Sequence, residues 1–88
     1  MRSTDVWATL DHMPDWAPGE YVYVQIADQL EAEIDAKPPK YPPGSRLPSE
    51  AELVERFEVA RPTVRQAIAE LRERGRVRTL HGKGTVVL

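Results

Sequence analysis

Arg61, Arg65 and Arg72 stand four and seven residues apart, with Thr63 and Gln66 among them. At roughly 100° per residue, the three arginines would fall within about 40° of arc on a helix. They would then form one cationic ridge. Guanidinium groups in such a row suit an anion that offers acceptors in series. Arg bonds bidentately to phosphate or to guanine O6 and N7, and Thr or Gln reaches other base edges. A second cationic feature follows at His81-Gly82-Lys83-Gly84-Thr85. Its glycines admit positive φ and close approach of backbone N–H groups to an anion, with Lys83 as a point charge. Each feature also has a plainer reading, as a solvated helix face and as a tight turn. A nucleotide-binding G-x-G needs a strand-loop-helix context, whereas the flanking residues here read as strand, turn, strand.

Nothing in the chain looks catalytic. It has 88 residues and no cysteine, which excludes disulfides, a thiol nucleophile and a thiolate metal site. His12 and His81 have no ligand-spaced partners, so no metal and no cofactor is expected. Serines and threonines fall where caps and turns need them. No apolar run approaches the ~18 residues of a membrane span, and the first ten residues lack a signal-peptide core. The expectation is a cytoplasmic protein without a membrane partner.

The net charge of −2 hides a division. Residues 1–58 carry five Lys or Arg against twelve acids, a net of −7, and residues 59–88 carry seven against two, a net of +5. A polyanion would dock on the basic end.

The elements that must position these residues can be read from periodicity. Residues 1–20 form an acidic leader with Trp7 and Trp16, in which Val6, Leu10 and Met13 are spaced for a short helix. Val22, Ile26, Leu30 and Ile34 repeat every four residues, so a helix over 22–36 buries that stripe and leaves its acids solvated. Lys37 to Ser45, KPPKYPPGS, forbids a helix and reads as a stiff, partly extended connector. Ser49 and Glu52 make a capping box for a second helix that turns Leu53, Val54 and Phe57 inward. Pro62 fits the first turn of a third helix, about 61–74, with Val64, Ala67, Ile68 and Leu71 as its apolar stripe and Gly75 as its stop. After Gly75 the period becomes two, so residues 77–88 form a hairpin. The fold class expected is mainly α with a small β-hairpin (α+β), three helices and a two-stranded wing over residues 21–88. That is the winged helix-turn-helix order. The capped helix before the arginine row and the basic hairpin after it favour DNA binding over the plainer readings.

The string PPGSRLPSEAELVERFEVARPTVRQAIAELRERGRVRTLHGKGTVV resembles the signature of the GntR family of bacterial transcription regulators, and the likeness covers residues 21–88. The resemblance implies selective binding of double-stranded operator DNA as a homodimer on a near-palindrome, for a regulator expected to repress. It places base and phosphate contacts on Arg61, Thr63 and Arg65, and wing contacts on His81 and Gly82 with Lys83 close by. Gln66 and Arg72 join them from the helical wheel.

Departures from the family pattern are expected to weaken binding or alter its preference. Ala51 stands where the family has a phosphate contact, leaving the Ser49 or Glu50 N–H groups for that role. Ala60 replaces an N-cap residue worth ~1 kcal/mol, and Glu58 replaces a helix-ending glycine. Family members continue into an effector-binding, dimerising domain, and this chain stops at Leu88 with no effector site evident. It is either a fragment or a stand-alone regulator; in the second case the leader is the candidate for making the dimer, against the plainer reading that Trp7 and Trp16 extend the core of a small domain. The competing function is a winged-helix interaction module that docks a partner through the acidic leader.

Overall fold

The computed structural model describes residues 21–88. Helices α1 (Val22–Asp35), α2 (Glu50–Phe57) and α3 (Arg61–Glu73) precede strands β1 (Val77–Leu80) and β2 (Gly84–Val87). The strands pair antiparallel with Val77 opposite Val87 and Leu80 opposite Gly84. This is the expected winged-helix order. The short helix expected around Val6, Leu10 and Met13 lies outside the described residues.

Apolar stripes bring the helices together. Ile26, Ala27, Leu30 and Ile34 of α1 are buried in one core with Val64, Ala67, Ile68 and Leu71 of α3. Leu53 and Phe57 of α2, Leu47 of the connector, and Val77 and Val87 of the wing complete it. Burying a side chain of this kind contributes about 1.5–3 kcal/mol, so this core outweighs any exposed ion pair at 0–1 kcal/mol. The expected stripes hold, with Val22 and Val54 only half-buried at the margin.

Helix ends follow local chemistry. The Ser49 hydroxyl accepts from the Glu52 N–H at 3.1 Å, and the Ser49 N–H donates to the Glu52 carboxylate at 2.8 Å. That capping box opens α2. Glu58 closes it in the left-handed region, with φ 56°. Ala60 stands at the start of α3 without a side-chain cap bond. At the far end of α3, Gly75 takes φ 75°, its N–H reaches the Arg72 carbonyl, and the Arg76 N–H reaches the Leu71 carbonyl. This pair of bonds is the Schellman motif, which needs a residue without Cβ strain at the glycine position.

One expectation is corrected and a second is extended. First, the acids of α1 are not simply solvated. Arg74 places Nη1 2.8 Å from both Asp28 and Glu31 and Nε 3.0 Å from Glu70. Arg76 reaches Glu31 at 2.7 Å and pairs with Asp35, while Arg56 pairs with Glu33 on another side of α1. The end of α3 runs past α1, which places cations and acids far apart in sequence side by side. Second, the connector is more than a spacer. The Leu47 N–H donates to the Thr85 carbonyl and the Val87 N–H to the Ser45 carbonyl, at 2.9 and 2.8 Å, and Arg46 bridges Val86. Residues 45–47 therefore cover the free edge of β2.

Two outcomes follow from these contacts. Glu58→Gly relieves a left-handed conformation that costs ~1–2 kcal/mol in an L-residue, against up to ~1 kcal/mol of added freedom in the unfolded chain. A net gain of below ~1 kcal/mol, seen as a Tm higher by a few degrees, is expected in a calorimetric melt; a lower Tm would contradict it. The second outcome concerns acid. Burial opposes ionisation of Glu33, but hydrogen bonds from Arg56 and Gln29 outweigh it and lower its pKa. The Arg76 hydrogen bond lowers that of Asp35, and the Ser49 N–H and hydroxyl lower that of Glu52. Lowered folded-state values mean that this stability is fully present above the ordinary values of 4.5 and 3.8. It is lost as pH falls through the lower folded ones. Circular-dichroism melts should show Tm falling as the solution is acidified below ~4.5, and a Tm flat down to pH 2 would refute the assignment.

Candidate nucleic-acid interface

The capping box fixes the first turn of α2 and sets Glu50 facing α3. One oxygen of the Glu50 carboxylate accepts from Arg61 Nη1 at 3.4 Å, and both accept from Arg65 Nε at 3.2 Å. Farther along α3, Arg72 Nη1 donates to the Thr79 hydroxyl of β1 at 2.9 Å. The arginine ridge is thus held at one end by α2 and at the other by the wing. Burial of Val64, Ala67, Ile68 and Leu71 turns the opposite arc of α3 to solvent, and Arg61, Arg65 and Arg72 are all exposed.

Between the first turn of α2, the ridge and the wing lies an open groove of about 930 Å³. Arg46, Arg61, Arg65 and Arg72 line it, with Glu50 and Glu52 on the α2 side and Thr79, Gly84 and Thr85 on the wing. The three expected arginines are brought together. Thr63, half-buried, and Gln66, exposed, sit on the same helix but outside the groove. His81, Gly82 and Lys83 form the exposed tip of the wing, separate from the ridge, where Gly82 has φ 76° and the Lys83 N–H closes the turn onto the Leu80 carbonyl.

Charge is distributed unevenly among the seven cations of residues 59–88. Arg74 and Arg76 are engaged with acids of α1 and α3, and their pKa values are raised, Arg74 first by Glu70 and Arg76 first by Asp35. Arg72, Arg78 and Lys83 have no acid partner among the described residues, and Arg61 and Arg65 share the single carboxylate of Glu50. At the start of α2, Ala51 is exposed and lines the groove without a polar side chain. The Ser49 N–H expected to substitute for it is already committed to Glu52.

Two site residues escaped the sequence reading. Arg46 sits alone in a proline- and glycine-rich stretch, where no helical or alternating spacing marks a face. For Glu50 the sequence suggests a backbone N–H contact but not the role of the carboxylate, because its arginine partners lie 11 and 15 residues away on another helix.

A helix-turn-helix that displays a cationic ridge beside a basic hairpin defines the class: a winged helix-turn-helix domain. Residues 22–87 match the family described as bacterial regulatory proteins, gntR family, and the chain belongs to that family. Over 66 residues it is 42% identical to the HTH-type transcriptional repressor NagR of Bacillus subtilis (strain 168), covering 75% of this chain and 26% of that protein. The chain spans about a quarter of the length of that relative. Among solved structures, AraR(DBD) in complex with operator ORR3 is 33% identical with a TM-score of 0.69, covering 75% of this chain and 77% of that one. A GntR family transcriptional regulator from Listeria monocytogenes is 30% identical with a TM-score of 0.72, covering 82% and 61%.

Glu50 places a negative charge inside a cationic groove, so it competes with any incoming anion for Arg61 and Arg65. Its pairs are partly exposed and are worth at most ~1 kcal/mol to stability. Glu50→Gln should therefore leave Tm nearly unchanged while eluting from heparin resin at higher salt. Earlier elution would show that Glu50 is needed to hold the arginines in place.

Proposed function

We propose that this chain is the DNA-binding head of a cytoplasmic bacterial transcription regulator, with no enzymatic activity of its own, and that it represses by occupying an operator. One observation carries the reading: Arg61, Arg65 and Arg72 stand in one exposed arc of α3, along a groove whose far wall is the wing. In a helix-turn-helix, the second helix of the pair enters the major groove with its N-terminal residues against base edges. Arg61 and Arg65 occupy that end of α3 and take guanine O6 and N7. Thr63 and Gln66 reach neighbouring base edges or phosphates, and Arg72 takes a phosphate. His81, Gly82 and Lys83 carry the wing onto the adjacent backbone or minor groove. Support comes from the AraR domain, solved on an operator, and from the relative named a repressor.

Residues 21–88 are the DNA-reading unit in this proposal, and residues 1–20 are a separate leader. Two copies bind a near-palindrome, with half-sites about one helical turn apart.

The test is a fluorescence-anisotropy titration against a duplex selected from random sequence and against its scrambled counterpart. The selected duplex should bind far more tightly. Arg61→Ala or Arg65→Ala should each cost ~1–3 kcal/mol on the selected duplex and relax its preference at one base pair. Equal affinity for both duplexes would overturn the reading.

A further inference from the structure

The wing contains a pair of cations that the ridge does not include. Arg46 of the connector bridges Val86, and Arg78 of β1 pairs with the same Val86 from the other side. Residues in register on neighbouring strands project to the same face of a sheet. Arg46, Val86 and Arg78 therefore form one row, with the two cations flanking a valine at two strand spacings, about 10 Å.

Two features mark this exposed pair. Neither arginine is in an ion pair among the described residues, which is shared only with Arg72, whereas Arg56, Arg61, Arg65, Arg74 and Arg76 are all paired with acids. And the segments that build the wing, residues 44–48 and 77–88, contain Arg46, Arg78 and Lys83 but no acid. An unneutralised basic sheet face in a chain with net charge −2 is not the average surface of this molecule.

Gly84 adds a geometric detail. A Cβ at this position, where φ is 83°, would stand 3.2 Å from Arg46 Cδ. The glycine leaves a track along which the Arg46 stem runs over the backbone of the wing, at the edge of the groove that Arg46 lines with Arg61 and Arg65.

We propose that Arg46 and Arg78 form a sequence-blind phosphate clamp on the wing, resting on the DNA-binding reading above. If α3 occupies a major groove and the wing tip reaches the neighbouring minor groove, the sugar-phosphate strand between the grooves passes the base of the wing. Arg46 and Arg78 meet it there. Arginine suits this position because its fork of donors matches phosphate oxygens. The clamp sets affinity and register, and the choice of sequence stays with Arg61 and Arg65.

The test uses the full 88-residue chain and compares the salt dependence of binding to the selected and scrambled duplexes for the double variant Arg46→Gln, Arg78→Gln. Each phosphate contact contributes about 0.9 to the slope of log K against log salt. The double variant should lower the slope by about 2 per bound chain and weaken both duplexes by the same factor, with their ratio unchanged. Lys37→Gln, which removes a connector cation outside the wing, should leave the slope as it is. Should the double variant melt early, Arg46→Gln and Arg78→Gln singly should each lower the slope by about 1. A slope equal to that of the unmodified chain, or a loss confined to the selected duplex, overturns the clamp and leaves operator binding standing. No salt-dependent binding of either duplex by the unmodified chain overturns both.

Discussion

The apolar stripe of α3 is the constraint on which the rest of the molecule depends. Val64, Ala67, Ile68 and Leu71 are buried against α1 and α2, and this burial leaves one possible outward arc for α3. Arg61, Arg65 and Arg72 lie on that arc. Neither α2, at eight residues, nor α3, at thirteen, would be stable alone in water. The energy that shapes the arginine ridge is therefore supplied by residues buried beneath it. The polar contacts then adjust what the core has set: Glu50 steadies the N-terminal end of the ridge, and Thr79 steadies the other.

A second organising feature is the division of the cations between two tasks. Arg56, Arg74 and Arg76 face carboxylates of α1 and serve to orient that helix. Arg61, Arg65 and Arg72 face the groove, Arg46 lines its edge on the wing side, and Arg78 is exposed on the wing. The overall acidity of the chain is thus compatible with an anion-binding surface, because most acids of the described residues lie on α1 or α2, away from the wing. Whole-chain charge describes none of these faces.

Much of the fold was legible because local rules and tertiary burial agree. The four-residue repeat of α1, the Ser49–Glu52 box, Pro62 at the start of α3 and Gly75 at its end each appear where their chemistry requires. Legibility stopped where an interaction joins distant residues. The α1 acids look solvated until α3 is packed beside them and brings Arg74 within reach. The connector shows extended character through its prolines, but pairing of residues 45–47 with β2 depends on an edge that exists only after the hairpin forms. Of the site, the arginine ridge was visible from spacing alone. Arg46 and Glu50 were not, since each acquires its neighbours through the fold. Glu58 was noticed as a departure at the end of α2, and its left-handed conformation gives that departure a physical basis.

The pairing of residues 45–47 with β2 also bears on the order in which the surface can be made. Its two partners are separated by about 40 residues, and β2 follows the three helices in chain order. Closing a loop of that length carries an entropic cost before any contact compensates it. During synthesis from the N-terminus, the helices have all their residues before the wall beside them can form. The groove acquires both walls only when Val86 and Val87 have emerged and paired. A nascent chain paused before β2 would present the ridge without its wing, a groove with one wall missing.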